Sequence, residues 1–211
     1  GPDGKRGTSD DGLPDTWNDF LTLLERLRMN YTPFTWAESP STYQISRVFN
    51  AIWANYEGYD NFMLNYSFKG TDGNLGSINE NNFTKLLNQE GRKAAIKAFY
   101  DITKNQENYS AKARPGGGNT HTGAQREYIQ SKRFGKRIAM FAENSYWEQE
   151  AREDVFNKET PQNVNGYGKR NFRYLPIPRF ENVDGIKDQT NTQRVLPAAY
   201  AESYICISAQ N

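Results

Sequence analysis

The stretch Gln130–Arg152, QSKRFGKRIAMFAENSYWEQEAR, constrains the fold of this chain more than any other. Arg133 to Lys136 is basic and carries Gly135. Ile138 to Phe141 is a short apolar run, Ala142 to Ser145 has the polarity of a turn, and Tyr146, Trp147 and Glu148 open a charged segment. A short apolar run between turn signals predicts a buried strand. Asn144 or Ser145 is placed to cap a following helix, with Glu148 and Gln149 positioned to answer it. The order strand, turn, helix sets Tyr146 and Trp147 at a helix N-terminus, where free backbone N–H groups meet polar ligands.

The rest of the chain is read in order. Residues 1–12 are glycine-rich and polar and read as a linker or cut end. Thr16 and Asp19 form a short capping box ahead of Trp17, Phe20, Leu21, Leu24 and Leu27, which recur at helical spacing. YTPFTW, residues 31–36, is held extended by Pro33 and predicts a strand or tight crossing. Thr42 to Tyr56 carries Ile45, Val48, Phe49, Ile52, Trp53 and Tyr56 on one helical face, and Gly58 ends it. Tyr59 to Tyr66 reads as a further short helix or turn. Residues 69–82 form a glycine-containing loop whose acidic residues are too few and wrongly spaced for calcium. Asn88 to Lys104 is a helix with Ala94, Ala95, Ala98 and Ile102 inward and Ile96 and Phe99 extending that face.

RPGGGN closes the loop 105–120, and no Gly-Lys-Ser/Thr follows it, so it is not a phosphate-binding loop. Thr122 to Lys132 reads as a helix, as does Tyr146 to Asn157. Phe172 to Ile177 and Tyr204 to Ser208 are strand-like. Residues 158–170 are loop-like and polar. They lack an apolar period, as do residues 1–12, and both stretches are expected to be mobile. The count of elements predicts an α/β or α+β chain dominated by helices. Its strands are too few for a self-contained doubly wound sheet, so the chain reads as one lobe of a larger protein or as a domain whose small sheet is completed elsewhere.

Bulk properties narrow the function. At 211 residues the chain supports a substantial core. A formal net charge of +1 argues against general nucleic-acid binding, which needs a basic face. Cys206 and His121 are the only residues of their kinds, which excludes an intramolecular disulfide and any site needing two histidines. No cofactor signature is present. Aromatic residues make up 14% of the chain, enough to furnish a working surface besides the core.

Five blocks, in order, resemble the extracellular solute-binding proteins of carbohydrate ABC transporters. They are DGLPDTWNDFLTLLERLR (11–28), YTPFTW (31–36), AQREYIQSKRFGKRIAMFAENSYW (124–147), FRYLPIPRF (172–180) and AESYICISAQN (201–211). The resemblance implies one lobe of a periplasmic-binding-protein-like, type II fold. Residues 13–211 would be mainly its C-terminal lobe, with hinge-crossing segments near 172–180 and 195–208. It implies carbohydrate binding outside the cell, delivery to membrane permease subunits, a separate N-terminal lobe and a lipidated start. It implies neither metal nor cofactor. The chain departs from the family at Asn144-Ser145-Tyr146 and at 198–201, where glycines are expected.

Sugars are held by aromatic faces and by polar groups that bond hydroxyls. The resemblance places Trp147 at a stacking position. Tyr146, Asn144, Glu148, Trp36 and Tyr43 complete the candidate ligand set, while Trp53 and Tyr56, one helical turn apart, read as core. Packing is the alternative role for each aromatic, and capping or solvation for each polar group. Two other classes compete: a glycoside hydrolase using Glu143 and Glu148 as its carboxylate pair, and a helical protein-interaction module.

Overall fold

The computed structural model of the chain describes residues 12–38, 43–70, 76–131, 135–143, 147–157, 167–168, 172 and 175–192. Helix dominates. A two-stranded parallel sheet is the only sheet among these residues, in keeping with a helix-rich α/β class.

Helix α1 (Trp17–Asn30) starts at the expected capping box. The Thr16 hydroxyl accepts the Asp19 N–H, and the Asp19 carboxylate accepts the Thr16 N–H. Two otherwise orphaned backbone donors are thereby satisfied. Trp17, Phe20 and Leu24 form its buried stripe. Strand β1 (Tyr31–Thr35) follows without a loop. Pro33 is accommodated because the ladder pairs Thr32 with Ile138 and Phe34 with Met140, and proline suits a position whose N–H is not needed.

Helices α2 (Tyr43–Glu57) and α5 (Glu90–Thr103) pack along each other. Gly91 and Ala94, Ala95 and Ala98 give α5 a low-relief face, whereas Ile96 and Phe99, expected to extend it, lie on the exposed side of the helix. A Cβ at Gly91 would lie 2.8 Å from the Trp53 carbonyl oxygen, a backbone atom that cannot swing away. The absent side chain thus sets how closely α2 approaches. Short helices α3 (Tyr59–Ser67) and α4 (Thr84–Leu87) lie between them in sequence. Residues 79–83, just before α4, close on themselves through Asn79 and Asn82.

Helix α6 (His121–Gln130) leads to β2 (Arg137–Phe141), which pairs with β1 in parallel. Strand β2 differs from the expected buried strand, since Ile138 to Phe141 are only half-buried and Arg137 is exposed. Among the described residues β1 is its only ladder partner, so its far edge gains no cover from a further strand. The expected continuous helix 146–157 is also divided. Helix α7 (Trp147–Glu150) passes at Ala151 into a π-helical stretch, Arg152–Asn157. The Ala151 carbonyl accepts from both Val155 and Phe156, and both side chains are fully buried. The wider turn is where Val155 and Phe156 both turn inward, sharing one backbone acceptor.

The strand expected over 172–177 is absent at Phe172 and at 175–177, the described part of that segment. Pro176 and Pro178 have no N–H to give a ladder. Pairing is confined to an isolated bridge between Arg179 and Thr16. There Trp17 N–H donates to the Arg179 carbonyl and Arg179 N–H to the Asp15 carbonyl, both at 2.8 Å. The segment then runs over the end of α2, where the Gln189 and Asn191 side-chain amides both donate to the Asn55 carbonyl. These bonds satisfy a helix-end acceptor that the helix itself leaves open. The strand expected at Tyr204–Ser208, residues 1–11 of the expected linker or cut end 1–12, and most of 158–170 lie outside the described residues.

The core is aromatic. Trp17 stacks on Phe180 at 5.0 Å, and Phe20 and Phe34 connect this pair to Trp36. Trp36 in turn stacks on Tyr109 at 4.9 Å. Trp53 and Tyr56 pack at this core as expected, with Trp53 Nε1–H on Gln89 and the Tyr56 hydroxyl on the Lys187 carbonyl. Asp101 is fully buried beneath α1. Its carboxylate accepts from Trp17 Nε1, Lys97 Nζ and Lys104 Nζ at 3.0, 2.6 and 2.8 Å.

Candidate functional site

Strands β1 and β2 are parallel, so the chain leaves both at the same edge of the sheet. Thr35 pairs with Phe141, and Ala142 N–H donates to the Thr35 carbonyl. Trp36-Ala37-Glu38 and Ala142-Glu143 therefore emerge side by side. In open parallel sheets, ligands are taken in the crevice outside the carboxyl ends of the strands. Helix α6 begins at this edge, fixed there because the Asn119 carbonyl accepts the Glu38 N–H at 2.8 Å. The Thr120 hydroxyl caps the helix through Gly123 N–H.

Beneath the edge lies a buried polar knot. Glu127 Oε2 accepts from Thr35 Oγ1 at 2.7 Å, Ser110 Oγ at 3.0 Å and Asn119 Nδ2 at 3.0 Å. All four side chains are buried. The carboxylate joins the end of β1, the segment after Tyr109 and helix α6, and its donors offset the cost of burying it. This knot is structural, since it is closed to solvent and its hydroxyls are committed.

Above it, the single histidine is held between two acids. His121 Nδ1 lies 3.2 Å from Glu143 Oε2, and Nε2 lies 2.6 Å from Glu150 Oε2. Gln125 Nε2 also donates to Glu150 Oε2, at 3.0 Å. The hydrogen bond to Glu143 raises the His121 pKa most strongly; partial burial opposes it and Glu150 adds to it, and together they hold it up at about 9. At neutral pH the ring is an imidazolium, donating from Nε2 to Glu150 and paired through Nδ1 with Glu143, not a free base.

The sign of the consequent pH effect follows from linkage. A histidine titrating near 6.5 when unfolded and near 9 when folded stabilises the fold fully below pH 6.5. That stability is lost as pH rises through about 9. Thermal melts of the wild type should fall between these two pH values more steeply than melts of His121→Gln. Parallel curves for the two proteins would show that the clasp carries no linkage.

The expected ligand residues fall into distinct surroundings. Trp147 is 7% exposed and belongs to a cluster with Ile129, Ala151, Val155 and Phe156. Phe141, Phe172 and Tyr128 meet its ring nearly perpendicularly, at 5.2, 4.9 and 5.7 Å. This is the environment of a packing residue. Trp36 is 3% exposed and committed to Tyr109 and Phe34. Glu148 is half-buried on α7. Tyr43 opens α2, and Asn144 and Tyr146 lie outside the described residues. Of the two acids considered as a hydrolytic pair, Glu143 has a side chain only 1% exposed and turned to His121.

Sequence reasoning did not single out Glu38, Gln125, Glu127 or Glu150. Glu127 carried a faint signal, being a carboxylate one helical turn from the inward-facing Ala124. The others are joined by contacts that local spacing does not encode. No protein-family model, curated protein or solved structure matches the chain.

Proposed function

We propose that this chain is the C-terminal lobe of an extracellular carbohydrate-binding protein that serves an ABC transporter, without catalytic activity of its own. One observation carries the reading beyond the five ordered sequence blocks: two parallel strands open at a common carboxyl edge lined with hydroxyl-bonding side chains. Glu38, His121 and Glu150 lie along or beside that edge. Carboxylates at such an edge accept hydrogen bonds from sugar hydroxyls. A lobe of this kind clamps its ligand against a second lobe. The parent protein would act outside the cell or in the periplasm, held to the membrane through a lipidated start and docking on permease subunits. Among the described residues no helix is long and apolar enough to cross a membrane.

Two features favour binding over hydrolysis. Glycoside hydrolysis requires two carboxylates that reach the scissile bond, whereas Glu143 is enclosed and engaged by His121. The histidine is committed as a cation between acids instead of being poised as a base.

A protein-interaction role draws on a different surface. Ile96, Phe99 and Tyr100 form an exposed stripe on α5. The two readings separate in a melting-shift screen of the full gene product against neutral mono- and oligosaccharides, run beside a glycoside turnover assay. Carbohydrate binding predicts a concentration-dependent rise in melting temperature for at least one sugar and no turnover. Turnover that disappears in Glu143→Gln or Glu148→Gln would establish an enzyme instead.

A further inference from the structure

The loop Pro115–Asn119 encloses a carboxylate from another part of the chain. Glu38 Oε1 accepts Gly116 N–H at 3.1 Å, and Oε2 accepts Gly118 N–H at 3.2 Å. Each of the three glycines is required by geometry. Gly116 and Gly118 have φ of +77° and +70°, where a side chain is strained. A Cβ at Gly117 would sit 2.4 Å from the Lys112 carbonyl oxygen. The run Gly116-Gly117-Gly118 thus builds a small backbone cradle aimed at one acid.

Glu38 is half-buried and stands three residues beyond the end of β1, at the open edge of the sheet. An ionised carboxylate offers about four acceptor positions, and the cradle occupies one on each oxygen. The remaining positions are held still, so a ligand hydroxyl that meets them costs little further ordering of the side chain. The rest of the edge is also acidic. Glu143 and Glu150 flank His121, and Glu148 lies on the same short helix as Glu150. Of the cations on the glycine loop, Arg114 donates to the Gln106 carbonyl and lies over the Tyr109 ring. Lys112 is in the preceding 3-10 turn and is exposed.

We infer that Glu38 is a ligand-contacting residue that accepts sugar hydroxyls, and that the acidic edge selects uncharged saccharides against uronates and sugar phosphates. The inference rests on the carbohydrate-binding reading and adds the residue and the ligand class. Hydroxyls donate to a carboxylate, whereas a second anion brought to the same edge is repelled, because the His121 cation there is already paired with Glu143 and Glu150.

The test is calorimetric titration of the full gene product with neutral trisaccharides (maltotriose, cellotriose, mannotriose), trigalacturonate and glucose 6-phosphate, repeated on Glu38→Gln and Glu38→Ala. Wild type should bind at least one neutral trisaccharide, with both anionic sugars weaker by about tenfold or more. Glu38→Gln should weaken the neutral sugar by roughly tenfold, the loss expected for a charge-assisted hydrogen bond. Thermal melts of the same variants distinguish contact from clamp. Lost affinity with a retained melt supports a contact. Lowered melting with unchanged affinity would make Glu38 a loop fastener and overturn the inference, as would equal binding of uronate and neutral sugar. Should wild type bind no sugar while properly folded, the carbohydrate reading itself falls, and this inference with it.

Discussion

Asp101→Ala is expected to lower stability by roughly 3 kcal/mol, among the largest effects of any single change in this chain. Three donors converge on its fully buried carboxylate. Lys97 and Lys104 are 30% and 47% exposed, so both can turn to water after the change. The Trp17 indole N–H cannot, since Trp17 is 2% exposed and stacked on Phe180. An unsatisfied buried donor and a small void remain. For a chain of this size the melting temperature should drop by on the order of 10 °C. Asp101→Asn keeps one acceptor for Trp17 and should cost less. A melt of Asp101→Ala within a degree or two of wild type would mean that this carboxylate does not join α1 to α5.

The same residue carries an acid dependence. Burial pushes the Asp101 carboxyl up, but the hydrogen bonds from Lys104, Lys97 and Trp17 outweigh it and hold the pKa below the ordinary aspartate value. A depressed folded-state pKa gives stability that is present above the unfolded value of about 3.8. That stability is lost as pH falls through the lower folded value. His121 acts in the opposite direction at the alkaline end. The two groups together set a stability plateau between the weakly acidic and neutral ranges.

The second large effect is at Trp147. Replacement by alanine in a close-packed aromatic cluster costs about 3–5 kcal/mol, because the surroundings relax only partly into the void. The packing against Phe141, Phe172, Tyr128 and Phe156 predicts a melting temperature lower by on the order of 10 °C or more. An exposed stacking platform predicts a different pair of results: an almost unchanged melt and a loss of sugar affinity of tenfold or more. One variant measured both ways decides between them. A normal melt for Trp147→Ala would show that the ring is not part of the core.

How far the sequence discloses the fold depends on the range of the forces involved. Helix α1 was readable to the residue, because its capping box and its Trp17, Phe20 and Leu24 stripe are local. Strands β1 and β2 were likewise readable from Pro33 and from the run Ile138–Phe141. Their parallel pairing joins segments about a hundred residues apart, and nothing in either segment specifies it. The division of the 147–157 helix was hidden for a related reason. The π-turn at Ala151 coincides with the burial of Val155 and Phe156, and that burial depends on neighbours in space that local spacing does not encode.

The site was less legible than the fold. Trp147 opens a helix after a turn, and that local pattern is the same whether the ring faces a cleft or Phe172. Glu38 and the glycines that hold it are separated by about eighty residues. In sequence the Gly116–Gly118 run resembles a flexible linker. In the fold it is a cradle, because two of its amides point at one carboxylate. His121 was noted for being alone, which excluded paired-histidine chemistry. Its role as a cation between Glu143 and Glu150 depends on α7 folding back toward α6.

The central claim is that the common carboxyl edge of β1 and β2 takes an uncharged sugar. Calorimetric titration of the full gene product with neutral trisaccharides tests it most directly. The account predicts saturable binding of at least one of them, with one sugar per chain and no glycoside turnover. A folded, cooperatively melting protein that releases no heat with any neutral saccharide, or that hydrolyses one, would contradict it.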